Sequence, residues 1–348
     1  MSQIEVSGLN KVFRQAVKEP GLSGALKHLI RPQYADKHAV KGIDLKIEEG
    51  ESVAYVGPNG AGKSTTIKMM CGVLVPTSGQ IRVNGIDPYR QRMENAAGIG
   101  AVFGQRTQLW WDIPVLESLN LLKDIYEVPS GDFNRNMKAF TELLELDEFL
   151  HLSARKLSLG QRMRADLAAA LLHDPRIVYL DEPTIGLDVS VKLRIRSFIK
   201  QMNREKGTTV MLTTHDLGDI EDLCERLVII DRGVIIFDGR LKEVKDAFAR
   251  ERTIHLELAS PIPDPGRLFR DIPGLAPEED GPLRLAICFD RFRITASEIV
   301  KRVIACAEVI DFHIDEPGIE QIIRQVYEGK LDLNLPEPAY AAGGDRLK

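Results

Sequence analysis

The sequence predicts an α/β protein, a mostly parallel sheet wrapped by helices, followed by a small α+β domain. Three observations carry this. An apolar run at residues 52–56 leads into a glycine-rich loop and then a helical stretch from about Lys63. Continuous apolar runs at 176–180 and 209–213 alternate with helical stretches, the pattern of strands buried on both faces. From about Thr253 the character changes to short strand-like segments around a Pro/Gly-rich stretch.

In chain order, residues 3–13 and 39–56 read as β-rich, with Ile43, Leu45 and Ile47 alternating on one face. They bracket an insert, residues 14–38, holding five Lys or Arg against two acidic residues. Within it Leu22, Leu26, Leu29 and Ile30 recur at helical spacing up to Pro32, which predicts a short basic amphipathic helix. Such a helix would meet a membrane surface or a partner, or else pack on the domain's own edge. After the glycine-rich loop a helix runs to about Val73, a turn at 76–79 precedes a strand at 80–83, and mixed helix covers 115–172. Residues 227–231 and 234–237 form a hairpin around Arg232 and Gly233. These elements give a first domain over residues 1–245. The second, residues 250–331, has strands at 254–258, 283–289 and 309–314 and helices at 296–307 and 319–327. Residues 332–348, rich in Pro, Gly and Ala, read as a mobile tail.

The chain has 348 residues, enough for two unequal cores; 44% are hydrophobic and 28% charged, as in a globular protein. With a net charge of −5, nothing in the composition points to a global nucleic-acid-binding surface. No apolar run is long enough to span a bilayer, and Met-Ser-Gln-Ile-Glu-Val is no signal peptide, so a cytosolic chain is expected. Cys71, Cys224, Cys288 and Cys306 are scattered without a C-x-x-C pair, which fits reduced thiols rather than a zinc site or disulfides.

The glycine-rich loop is Gly57, Pro58, Asn59, Gly60, Ala61, Gly62, Lys63, Ser64 and Thr65, a match to G-x-x-x-x-G-K-[ST]. Glycines let successive N–H groups turn inward as an anion nest, and the following helix adds the positive end of its dipole. Lys63 supplies a full charge for β/γ-phosphates, and the Ser64 hydroxyl is placed for Mg²⁺. The apolar run at 176–180 ends in Asp181 and Glu182, at the strand edge where parallel sheets bind ligands. Adjacent strand residues point to opposite sides, so the two carboxylates divide the work: Asp181 for metal, Glu182 as general base.

Between these motifs lies Leu157-Ser158-Leu159-Gly160-Gln161, directly before a long helix. Phosphate loop, L-S-x-G-Q and Asp-Glu strand end, in that order, resemble the nucleotide-binding subunit of an ATP-binding cassette (ABC) transporter. The resemblance covers residues 3 to about 240. It implies a P-loop ATPase cassette with a mostly parallel sheet core, a β subdomain and a helical subdomain, with ATP and Mg²⁺ as ligands. It places Phe13 on adenine, Gln105 as the Q-loop glutamine near the metal, Asp188 in the D-loop and His215 as the switch histidine sensing γ-phosphate. Leu157, Ser158, Gly160 and Gln161 would close over the phosphate loop of a second subunit. Two departures stand out: Leu159 where glycine is usual, and Phe13 for the more frequent tyrosine. Both leave the needed groups in place, since Ser158 and the N–H groups near Gly160 remain and Phe stacks as Tyr does. The remaining histidines, His28, His38, His151, His173, His255 and His313, carry no assigned role.

The stretch from Gln105 to Asp112, with adjacent Trp110 and Trp111, together with the insert and the C-terminal domain, resembles type-2 ABC exporters. That implies a homodimer, or a pair with a sister ATPase, beneath separate membrane subunits on the cytoplasmic face of the inner membrane, with no nucleic-acid partner. Soluble cassettes that remodel DNA or ribosomes are the competing class. The single compact cassette, with 118 residues from Lys63 to Asp181, favours transport. A P-loop kinase or GTPase would leave Gln105, residues 157–161 and His215 unexplained.

Overall fold

A computed structural model describes residues 2–17, 33–104, 106–248, 251–272, 275, 277–279, 281, 283–291 and 293–315. The chain divides into two compact units, Met1–Leu241 and Lys242–Lys348, each with its own buried apolar cluster. In the first, β1 (Ser2–Val17) pairs antiparallel with β2 (Gln33–Glu48) on one side and β4 (Ser78–Val83) on the other. Ile43, Leu45 and Ile47 alternate inward from β2 into the core.

The hairpin runs further than side-chain pattern alone indicates. Residues 14–17 and 33–38, expected within the insert, continue the two strands, with Phe13 opposite Lys37 and Arg14 opposite Asp36. Backbone pairing needs no apolar alternation once two segments lie side by side, so a polar extension leaves no periodic trace. The rest of the insert, including Leu22, Leu26, Leu29 and Ile30, lies outside the described residues, as do the helix expected at 319–327 and the tail at 332–348.

The main sheet has the order β5-β6-β7-β3-β8-β9, formed by β3 (Ser52–Val56), β5 (Ile99–Phe103), β6 (Ile177–Asp181), β7 (Thr209–Thr213), β8 (Arg226–Asp231) and β9 (Val234–Arg240). All neighbours are parallel except the β8–β9 hairpin. β3 and β7 are buried throughout, as their continuous apolar runs require. The β5 strand has no counterpart in the sequence reading, because Gly100 and Ala101 interrupt its apolar character. Its carboxyl end nevertheless runs into the segment carrying Gln105.

Helix α1 (Lys63–Met70) follows the glycine-rich loop and ends three residues before the expected Val73. A short α2 (Arg92–Gly98) leads into β5. The helical region contains α3 (Val115–Ile125), α4 (Ser130–Leu144) and α5 (Leu159–Leu171). The last starts sharply because Ser158 and Gln161 form a capping box, each side chain satisfying the other's backbone N–H. α6 (Val189–Lys206) is capped by Asp188 and stopped by Gly207 at φ 65°; α7 (Leu217–Leu223) is capped by Asp216. Phe198 of α6 meets Phe140 of α4 edge-on at 5.3 Å.

The second unit begins with most of α8 (Leu241–Phe248). Its antiparallel sheet has the order β11-β12-β10-β13, from β10 (Glu251–Leu258), β11 (Pro277–Glu279), β12 (Arg284–Asp290) and β13 (Val309–Asp315). Ile254, Leu256, Leu258, Leu285, Ile287 and Phe289 face the core, where Ile299 and Val303 of α9 (Ala296–Ile304) join them. The helix stops short of the expected Ala307.

Candidate active site

Strand order assembles the site. The carboxyl ends of β6, β7 and β3 lie side by side, so the Asp181–Glu182 turn, His215 and the glycine-rich loop become neighbours across a wide sequence separation. At Gly57 a Cβ would fall 2.2 Å from the carbonyl oxygen of Ile230, and Gly62 sits at φ +114° with a Cβ position 2.6 Å from the Ala39 oxygen. Backbone crowding and left-handed geometry therefore dictate glycine at both.

Lys63 is almost wholly buried, and its ammonium donates to the carbonyl oxygens of Gly57 and, at 3.4 Å, Pro58. Burial holds its pKa below the usual lysine range, opposed by the nearby Glu182 and Asp181. Ser64 Oγ donates to Asp181 Oδ2 at 3.0 Å, and Thr213 donates to Asp181 Oδ1. Adjacent oxygens of an octahedral Mg²⁺ shell stand roughly 2.9 Å apart, so Ser64 and Asp181 fit two corners of that shell.

Asp181 and Glu182 are separated by a turn, not by the strand alternation expected from sequence. β6 ends at Asp181, and Glu182 adopts φ +56° with its N–H donating to the Thr213 carbonyl at 2.9 Å. A left-handed non-glycine residue costs on the order of 1 kcal/mol, sustained here by the neighbouring strand. The turn brings Glu182 Oε1 to 3.2 Å from His215 Nε2.

Phe13, Pro58, Asn59, Gly60, Gly62, Lys63, Ser64, Thr65 and Glu182 line one open cleft of about 360 Å³. Gly57 and Ala61 shape the loop from beneath, with Ala61 N–H donating to the Pro58 carbonyl. Lys11 Nζ stands over the Phe13 ring, 5.1 Å from its centroid, and Phe13 lines the cleft. A second cleft, about 460 Å³, shares Ser64, Asp181 and Glu182 and adds Lys68 and Arg106. Gln105 lies outside the described residues.

The signature residues line neither cleft. Ser158 and Gln161 are engaged in the α5 cap, and Leu157 precedes it. Leu159 is 40% exposed and leans towards Gly186, whose added Cβ would lie 3.3 Å from Leu159 Cδ2. Gly160 faces Val191, and Asp188 accepts hydrogen bonds from Val191 N–H and the Ser190 hydroxyl, which hold its carboxyl below the usual range.

Three residues were not singled out from sequence. Thr213 holds Asp181 by standing opposite it in the β6–β7 register. Asp219, fully buried in α7, accepts from Thr184, from Thr214 at 2.9 Å and from Arg196 at 2.6 Å, so it joins the segments after Glu182 and before His215. Asp166 on α5 accepts from the Thr107 hydroxyl at 2.8 Å and Gln108 N–H at 3.0 Å, tying the segment after Gln105 to the signature helix. Only strand register and helix packing reveal these pairings; the one local hint is Thr213-Thr214 beside His215.

Burial pushes the Asp166 carboxyl up to about 6 from 3.8, against those two hydrogen bonds and Arg162. Because the folded state keeps its proton longer than the unfolded chain, this residue costs nothing below pH 3.8. Its cost grows as pH rises towards 6 and is constant above. Asp166→Asn keeps both acceptor bonds and removes the titration. Relative to that variant, the wild type should lose about 2–3 kcal/mol of stability between pH 4 and pH 7. Unfolding followed by fluorescence of Trp110 and Trp111, the two tryptophans of the chain, measures it. A constant difference across that range would refute the assignment.

A glycine-rich phosphate loop between strand and helix, with two carboxylates at the end of the strand next but one in the sheet brought beside its lysine and serine, defines a P-loop nucleotide-hydrolysing domain. Residues 40–185 match the family described as ABC transporter. The chain is 32% identical over 209 residues to the ABC transporter ATP-binding protein NatA of Bacillus subtilis, covering 60% of this chain and 85% of that protein. To the Nod factor export ATP-binding protein I of Cupriavidus pinatubonensis it is 33% identical, over 66% of this chain and 70% of that one. Among solved structures, the dimeric ATP-binding cassette MJ0796 in a post-hydrolysis state with ADP and Pi superposes with a TM-score of 0.56. Identity there is 26%, over 68% of this chain and 98% of that one. The chain belongs to the ATP-binding proteins of ABC transporters, and it is an ATP-hydrolysing subunit of such a transporter.

Proposed function

We propose that this ATPase drives an exporter, as a dimer with a second copy or with a sister ATPase, bound peripherally to separate membrane subunits at the cytoplasmic face of the inner membrane. The observation that carries the catalytic part is the His215–Glu182 contact at 3.2 Å, with Glu182 and the Asp181-bonded Ser64 both lining the loop cleft. In this reading Phe13 takes the adenine, the loop N–H groups and Lys63 hold the phosphates, and Glu182 accepts the proton of the attacking water. His215 orients Glu182 and meets the γ-phosphate. Ser64, Asp181 and Gln105 would hold Mg²⁺, which neutralises phosphate charge. Leu157, Ser158, Gly160, Gln161 and Asp188 serve the partner's nucleotide, consistent with their lining neither cleft of their own chain.

Export is supported by the Nod factor export relative. Membrane subunits are supported by the exposed Trp110, Trp111, Leu116, Leu121 and Ile125, an apolar set next to the Gln105 segment. Among the described residues no helix is long and apolar enough to cross a membrane. Affinity purification of the tagged full chain from detergent-solubilised membranes tests this reading. Stoichiometric recovery of an integral membrane protein, lost on Trp110→Ala/Trp111→Ala substitution, is expected. Recovery of ribosomes or DNA instead would overturn the export assignment and favour the soluble remodelling class.

A further inference from the structure

Two histidines without a role in the sequence reading are brought together in the second unit. His255 of β10 stands directly opposite His313 of β13 in the antiparallel register, and their rings stack with centroids 4.7 Å apart and planes 7° from parallel. Asp315 lies two residues beyond His313, hence on the same face of the strand. Its carboxylate oxygens are 3.2 Å from His255 Nε2 and 3.9 Å from His313 Nε2. Two imidazole nitrogens thus converge on one carboxylate, on the sheet face away from Ile254, Leu256 and Ile314. Among the described residues no other group of three His, Cys, Asp or Glu side chains offers ligand atoms within 4.8 Å of one another.

We propose that His255, His313 and Asp315 bind a borderline divalent transition-metal ion of the Zn²⁺ or Co²⁺ type. Two nitrogens and one carboxylate oxygen suit such ions better than Mg²⁺ or Ca²⁺, which prefer oxygen alone. Ligands of tetrahedral Zn²⁺ stand roughly 3.3 Å apart, given Zn–N and Zn–O bonds of about 2.0–2.1 Å. The His255–Asp315 separation already matches. The exposed His313 side chain has the freedom to close its longer gap by a small rotation. A cleft of about 320 Å³, lined by His255, His313, Glu257, Asp311 and Arg284, opens beside the cluster and leaves room for a water as fourth ligand. Glu257 is paired with Arg284 at 2.9 Å, while Asp311 adds negative charge to the approach. Bound metal would add a clamp between the edge strand β13 and β10, which are joined there by their antiparallel ladder, the His stack and the His255–Asp315 contact.

The test uses the full chain without a polyhistidine tag. Zn²⁺ titration by calorimetry, in the absence of nucleotide, compares wild type with His255→Gln and His313→Gln. The latter substitution is at an exposed position and should leave the fold intact by circular dichroism. The wild type should bind one more equivalent than either variant, or bind it at least tenfold more tightly. With Co²⁺ it should develop visible d–d absorption that both variants lack. Equal stoichiometry and affinity in folded wild type and His313→Gln, with no Co²⁺ spectrum, would overturn the proposal. Neither outcome depends on the ATP site, whose residues are the same in all three proteins.

Discussion

Replacing Glu182 by Gln is expected to cut steady-state ATP turnover by roughly 10²–10⁴-fold, the usual worth of a positioned general base, while ATP binding persists. The substitution keeps length, shape and backbone preference, so the φ +56° turn and its hydrogen bond to Thr213 should survive. What disappears is the capacity to take a proton. The 3.2 Å contact with His215 can persist with a neutral amide, which separates positioning from base chemistry. Asp181, hydrogen-bonded to Ser64 and Thr213, is untouched, and nucleotide affinity should follow it rather than Glu182. With hydrolysis blocked, ATP-bound dimers should accumulate and be visible by size-exclusion chromatography with ATP and Mg²⁺. Wild-type turnover in this variant would remove Glu182 from the role of base.

Asp219→Ala should lower stability by about 3 kcal/mol and, at unchanged ATP affinity, lower turnover as well. The carboxylate is fully buried and serves Arg196, Thr184 and Thr214 together. Alanine leaves two buried hydroxyls without their acceptor. Arg196 would keep only Asp216 at 2.9 Å and Asp222 at 3.4 Å. Because Thr184 follows Glu182 by two residues and Thr214 precedes His215 by one, loosening Asp219 should loosen the Glu182–His215 contact. Asp219→Asn keeps an acceptor oxygen and should lose less of both quantities. Denaturant unfolding monitored by the two tryptophans, paired with kcat and KM for ATP, measures both effects. A stability change within about 0.5 kcal/mol, with kcat unchanged, would show that this link between the two loops is not needed.

Much of this molecule is legible in one dimension because its chemistry is local. The phosphate loop is a contiguous turn whose glycines, lysine and serine act through backbone geometry and short reach, so Gly57 to Thr65 declare themselves by spacing. The long helix expected directly after residues 157–161 was legible in the same way, and its start is a cap, Ser158 with Gln161, that spans only three residues. Continuous apolar runs identify β6 and β7, which are buried on both faces. A strand that spends its apolar content on Gly100 and Ala101 does not announce itself, and β5 was therefore invisible, as were the polar ends of the β1–β2 hairpin.

The sequence by itself determined the phosphate-binding loop, the pair of carboxylates and the order of the motifs, since each depends on neighbours a few residues apart. Only the tertiary structure decided how they meet. The strand order β5-β6-β7-β3 sets Glu182 beside His215 and Asp181 beside Ser64, and a left-handed turn, rather than strand alternation, separates the two carboxylates. Register across a sheet likewise paired Thr213 with Asp181 and His255 with His313. Such contacts arise from non-local hydrogen bonding between strands, whose partners no periodicity within a single segment can specify.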